Sequence, residues 1–236
     1  MSSDRLQLPN AALIEVACEI RFHGDLSLLA IQGRVQSRLR GAYPKLLVPG
    51  AEPGSFPLLQ QVRLASADDV HIVLMGVNSF GLSTHAYTKY SEFKVRFDTA
   101  FQALLSEFSL PPLTRFGLRY VNALPPFGVA SEHCAHPALR IGVSGVKGPW
   151  RAQPQLMLES DRGAMTLRTV LVQPTAVPTA PGFFLDPGVR LDFDCYVKDP
   201  SSRDVLTLLD DAHNIIEDAF FDMITPEYLK YLEGKP

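Results

Sequence analysis

Large hydrophobic residues recur at every second position over residues 14–22, where Ile14, Val16, Cys18, Ile20 and Phe22 interleave with Glu15, Ala17, Glu19 and Arg21. A period of two predicts a strand with one dry face and one charged face. The pattern returns at residues 115–122, where Arg115, Gly117, Arg119 and Val121 share one side and Phe116, Leu118 and Tyr120 the other. It returns again where Leu191, Phe193, Cys195 and Val197 alternate with Asp192, Asp194 and Tyr196. Three such strands predict a sheet that is dry on one side and carries charges of both signs on the other.

The intervening segments switch period. Leu28, Ile31, Val35 and Leu39 recur at helical spacing after Asp25, a plausible N-cap, and Gly41 and Pro44 end that helix. Residues 43–57 hold four prolines and read as a loop. Short strands are expected at 58–64, 70–75 and 80–85, followed by a helix with Tyr90, Phe93, Phe97, Phe101, Leu104, Leu105 and Phe108 on one face. After the arginine-bearing strand comes a loop over 124–137, then strands at 139–143, 155–160 and 165–173, the last two joined by a turn at 161–163. A proline-rich loop over 174–187 precedes the strand at 189–197. Asp199 and Pro200 predict a cap and first-turn proline for the longest helix, with Ser201 and Asp204 resembling a capping box. Its apolar stripe runs from Val205 to Met223, and Thr225–Pro226 opens a short last helix.

Strands do not alternate regularly with helices, which argues against a doubly wound parallel sheet. The expected fold is α+β: one domain over residues 1–236, with a large antiparallel sheet and long amphipathic helices on one face. Residues 11–110 and 113–236 share an outline of charged strand, hairpins and closing helix, and so predict two pseudo-repeated halves.

Composition narrows the function classes. A chain of 236 residues that is 46% hydrophobic and 20% charged buries a real core and is not intrinsically disordered. A formal net charge of −3 gives no global attraction for nucleic acid or an anionic membrane, so neither is an expected partner. Three cysteines make no disulfide framework, no apolar run reaches the roughly 18 residues of a membrane span, and residues 1–10 lack a signal-peptide core. The expected compartment is the cytoplasm. Charge is unevenly distributed: Arg21, Arg34, Arg38, Arg40 and Lys45 face Asp25 alone in their segment, whereas the C-terminal segment is acidic.

Four constellations could carry chemistry. His133, Cys134 and His136 place three metal-ligating types within four residues, but a zinc site usually needs four ligands, and an exposed loop with no metal is the expectation. Asp192 and Asp194 share a strand face and could hold a magnesium ion, yet pairing with Arg115, Arg119 or Arg21 across neighbouring strands is the favoured reading. His213 lies off the apolar stripe beside Asp210 and Glu217 and reads as a helix-surface histidine. Phe127, Phe183 and Phe184 sit between prolines, as lids or as anchors for a partner. With no dinucleotide fingerprint and no P-loop, no cofactor is expected.

Four segments together resemble a known family: Glu-Val-Ala-Cys-Glu-Ile-Arg-Phe at 15–22, Phe-Gly-Leu-Arg-Tyr-Val-Asn at 116–122, the strand that carries Asp192 and Asp194, and the ending from Ala212–His213–Asn214 through Phe220 to Ile224–Thr225–Pro226–Glu227. They are similar to a sporadically distributed bacterial family of uncharacterised proteins. That resemblance implies an accessory gene context, such as defence or toxin-related cargo, and no particular chemistry. Two functions are therefore expected in competition. One is a non-enzymatic interaction or regulatory subunit that binds another protein, as a homodimer in one form of this reading. The other is an enzyme or small-ligand binder with a pocket floored by Glu15, Glu19, Arg21, Arg115, Arg119, Asp192 and Asp194.

Overall fold

A computed structural model describes residues 12–47, 61–124, 155–175, 178–180, 183–184, 188–200 and 204–234. The elements run β1 (Leu13–Phe22), α1 (Ser27–Leu39), β2 (Lys45–Leu47), β3 (Val62–Ala65), β4 (His71–Met75), β5 (Ser79–Thr84), α2 (Tyr90–Leu105), β6 (Leu113–Leu124), β7 (Gln155–Arg162), β8 (Met165–Thr175), β9 (Pro178–Ala180), β10 (Phe183–Phe184), β11 (Gly188–Lys198), α3 (Val205–Met223) and α4 (Pro226–Leu232). The fold is α+β. Among the described residues, nine strands form one sheet in the order β2-β3-β4-β5-β1-β6-β11-β8-β7. In each half, the first strand (β1 or β6) is bordered by that half's last strand (β5 or β11), then by the two strands preceding it in the chain order of the sheet.

The chain divides into two compact units, Glu15–Leu118 with Tyr196–Asp210, and Met1–Ile14 with Arg119–Cys195 and Asp211–Pro236. In the first, antiparallel register lines up a row of apolar side chains across four strands: Leu64 opposite Val73, Val73 opposite Leu82, and Leu82 opposite Cys18. All four are buried, as is the parallel row of Met75, Phe80 and Ile20. α2 lays Phe97 and Phe101 on this face, with ring centroids 6.5 and 6.2 Å from Phe80. The helix forms there because Tyr90, Phe93, Phe97, Phe101 and Leu104 recur every three or four residues and all are buried. α1 buries Leu28, Ile31, Val35 and Leu39 in the same way. Its basic side is tied down: Arg34 Nε donates to Glu107 Oε2 at 2.8 Å and Arg38 Nε to Glu107 Oε1 at 2.7 Å. These bonds hold the Glu107 carboxyl below the usual range.

In the second unit, Phe193 of β11 meets Phe220 of α3 edge-on, and Cys195 Sγ lies 3.8 Å from Met165 Sδ of β8. Ala212, Ile216, Ala219, Ile224, Tyr228 and Leu232 complete the buried layer. Gly163 (φ +66°) is the first of the two residues linking Arg162 to Met165, where a type II′ hairpin turn requires positive φ. Thr225 caps α4, its hydroxyl accepting from the Tyr228 N–H at 3.2 Å with Pro226 in the first turn. Thr225→Ala is expected to cost about 1 kcal/mol, read as a lowered urea midpoint with unchanged slope.

Several boundaries differ from the sequence expectation. β2 and the β9–β10 hairpin lie inside segments that prolines marked as loops; each strand is only two or three residues long, β2 and β10 fitting between prolines and β9 beginning on Pro178. α1 begins at Ser27, with the Asp25 carboxylate accepting the Ser27 N–H one position ahead of a regular cap. α3 begins at Val205, not at Pro200. Asp204 caps it, accepting from the Thr207 N–H, while Asp199 sits at φ +45° with its N–H bonded to the Thr114 carbonyl. The expected strand at 139–143 and loop at 124–137 fall wholly or almost wholly outside the described residues. No described helix is long and apolar enough to cross a membrane.

Candidate functional site

Alternation places Arg119 on the face of β6 opposite Phe116, Leu118 and Tyr120, and Asp192 on the corresponding face of β11. The two side chains meet in a planar two-point pair: Nε donates to Oδ1 at 2.9 Å and Nη2 to Oδ2 at 2.6 Å. Asp192 is buried to a side-chain exposure of 10%, whereas Arg119 remains 43% exposed. The carboxylate is thus sunk in the sheet surface, and the guanidinium presents its outer edge to solvent. A fork-to-fork arrangement of this kind fixes both partners more firmly than a single bond would.

Removing either partner should have unequal consequences. Arg119→Ala strands a buried carboxylate, at an expected cost of about 2 kcal/mol. Asp192→Ala leaves a half-exposed guanidinium that water can serve, and should cost about half as much. Paired urea titrations check this, and equal losses would contradict the asymmetry.

Behind Arg119, Tyr120 points to the dry face and bonds His213 of α3, with 2.9 Å between the hydroxyl and Nδ1. His213 is only 5% exposed, so it is not the helix-surface residue its carboxylate neighbours suggested. The spacing to Asp210 and Glu217 concealed the strand tyrosine that meets it across the layer. The tyrosine at an otherwise apolar position of the strand was the available signal.

The other unit holds the remaining charged candidates except Asp194. Glu15, Glu19 and Arg21 alternate along β1, and Arg21 Nε donates to Glu19 Oε1. Gln61 Nε2 reaches Glu19 Oε2 at 3.4 Å and Ser79 Oγ at 2.7 Å, joining the acid to β5. Arg115 lies over its own strand at Gly117 and stacks on Tyr196, with 5.0 Å from the guanidinium carbon to the ring centroid. Such stacking contributes about 0.5–1 kcal/mol at a partly exposed site. The sequence expectation that Asp192 and Asp194 pair with arginines across neighbouring strands is met by Arg119 with Asp192, whereas Arg21 pairs with Glu19 along its own strand. Arg115 instead engages an aromatic ring. Asp194 is half-buried on the Asp192 face of β11.

A further polar cluster was not anticipated. Asp210, on the first turns of α3, accepts from Tyr90 at 2.6 Å and from Lys94 at 2.8 Å on each oxygen. Burial and the bond to Asp210 push the Tyr90 hydroxyl well above its ordinary range. The acidic helix thereby meets a lysine of α2, a contact legible in sequence only as uneven charge.

Among the described residues no group of three or more His, Cys, Asp or Glu side chains is arranged to hold a metal ion. His133, Cys134 and His136 lie outside the described residues, as does Phe127. Phe183 and Phe184 form the short strand β10 rather than a loop. No protein-family model matches the chain, and no curated protein matches it.

Proposed function

We propose that this chain is a non-enzymatic interaction protein, a cytoplasmic accessory or regulatory subunit that binds another protein. The observation that carries the reading is the Arg119–Asp192 pair. A guanidinium held at two points by a buried carboxylate is rigid and charge-balanced, with its side chain partly exposed at the sheet surface. That is the character of a polar anchor on a recognition surface, where arginine contributes disproportionately to binding. A general acid or base requires a group free to exchange a proton, and a guanidinium does not titrate in the working range. The other charged candidates behave alike: Glu19 is engaged by Arg21 and Gln61, and Arg115 by Tyr196. The resemblance in the sequence supports an accessory bacterial context for such a subunit.

Affinity capture from the native host, with wild type, Arg119→Glu and Arg119→Lys run in parallel, tests the reading. A protein retained in stoichiometric amount by wild type, lost with Arg119→Glu and partly restored with Arg119→Lys is the expected result. Far-UV circular dichroism confirms that the variants are folded. Retention that is indifferent to position 119, or retention of no protein, contradicts the reading.

A further inference from the structure

Arg34 and Arg38 stand one turn apart on α1 and converge on a single acid, Glu107, just past the end of α2. Arg34 Nε donates to Oε2 at 2.8 Å. Arg38 donates to Oε1 from two nitrogens, Nε at 2.7 Å and Nη2 at 2.6 Å. The carboxylate is sunk to a side-chain exposure of 14%, whereas Arg34 is 58% and Arg38 52% exposed. Solvent therefore reaches both cations while the acid that holds them is nearly covered.

A joint between α1 and α2 needs one positive charge here, not two. Arg38 alone satisfies the single charge of Glu107, and it stands in the last turn of α1, where the helix dipole favours a cation. Arg34 is the surplus, and the cluster carries a net charge of +1. The shared carboxylate also restrains both long side chains, so an incoming ligand need not order them again. Short residues border them: Ala30 one turn before Arg34, Ser37 beside Arg38, and Gly41 and Ala42 just past the helix, all exposed. None of these is long enough to reach over a guanidinium.

We propose that Arg34 and Arg38, positioned by Glu107, bind the phosphate group of a phosphate monoester. The excess charge calls for an anion, and the donors select its kind. Three of the six guanidinium nitrogens bond to Glu107; Arg34 Nη1 and Nη2 and Arg38 Nη1 keep their N–H groups for a ligand. A carboxylate has two oxygens and is satisfied by one guanidinium, as Asp192 is by Arg119. A phosphate monoester has three terminal oxygens and about −1.5 to −2 charge at neutral pH, so it accepts from both arginines at once. Glu107 repels the same anion and both cations are hydrated, so the affinity for an isolated phosphate is modest. The site stands apart from Arg119 and from the reading built on it.

Heteronuclear NMR of the full chain, following the arginine Nε–H signals through a titration at constant ionic strength, tests the site. The probes are glycerol phosphate, a short peptide bearing one phosphoserine, the same peptide unphosphorylated, and acetate. Both phosphate probes should move the Arg34 and Arg38 signals along a saturating curve, and the other two should not. Whichever phosphate probe binds more tightly identifies the source, a small metabolite or a modified protein. Arg34→Gln should weaken binding about tenfold or more. Arg40→Gln, the same loss of charge at an exposed arginine just past α1, should leave it nearly unchanged. Arg34→Lys, which keeps the charge but not the planar set of donors, should recover only part. Circular dichroism checks that each variant is folded. Signals that drift linearly to the highest concentration mean an adventitious ion only and overturn the proposal. So do an equal response to acetate, or equal weakening by Arg34→Gln and Arg40→Gln.

Discussion

Phe97→Ala should be the most damaging single truncation in the first unit, costing about 3–5 kcal/mol. The ring is fully buried on the inner face of α2. It stacks on Phe101 at 5.8 Å and meets Phe80 edge-on at 6.5 Å, so it joins the helix to the first half of β5. Alanine removes the transfer free energy of a whole aromatic ring and leaves a cavity that α2 cannot close. Two forces hold the helix in place: Phe80 and Phe101 keep contact on either side, and Lys94 remains anchored to Asp210. For a chain of this length the loss corresponds to a fall in melting temperature of about 10 °C or more. Differential scanning calorimetry checks it. Phe97→Leu, which refills most of the volume, should recover more than half.

Gly81→Ala should be the second largest, at about 2–3 kcal/mol, and should far exceed Gly117→Ala at under about 1 kcal/mol. Both glycines lie in strands, and both have an atom 2.6 Å from where a Cβ would stand. The identity of that atom decides the outcome. At Gly81 it is the carbonyl oxygen of Cys18, with the Glu19 Cα at 3.4 Å, and Gly81 opposes Glu19 in the β1–β5 ladder. Backbone cannot swing aside, so the two strands must part and their hydrogen bonds lengthen. At Gly117 the near atoms all belong to the Arg115 guanidinium, the end of a long side chain. Alanine there displaces Arg115 from Tyr196 and costs little more than that stacking. Melting temperatures of the two variants, measured side by side, separate the cases; equal losses would contradict this account.

Legibility in the sequence followed the length and regularity of each pattern. β1 was legible to the residue because its alternation runs nearly its whole length, and α2 because four aromatic positions repeat at helical spacing. β2 was not, since three residues between prolines carry too little periodicity to outweigh the breakers. The start of α3 was misplaced because Asp199–Pro200 has the composition of a cap, and only the positive φ at Asp199 shows that the chain is still turning there. The candidate site divides in the same way. Opposite charges on like-facing strand positions announced the Arg119–Asp192 pair, since register and alternation are local properties. The meetings of Tyr120 with His213 and of Tyr90 and Lys94 with Asp210 depend on how a helix is rotated over a sheet, which no local pattern encodes.

The two buried cysteines have a practical consequence. Cys18 belongs to one compact unit and Cys195 to the other. Burial raises the Cys18 thiol well above its ordinary range, and burial with the nearby Asp194 and Asp211 charges pushes Cys195 up to about 12. Neither forms an appreciable amount of reactive thiolate while its surroundings stay closed. Each is therefore a native clock: its alkylation rate in dilute denaturant times the opening of its own unit. The chain thus carries, without any engineering, the means to learn whether its two halves melt in step or one after the other.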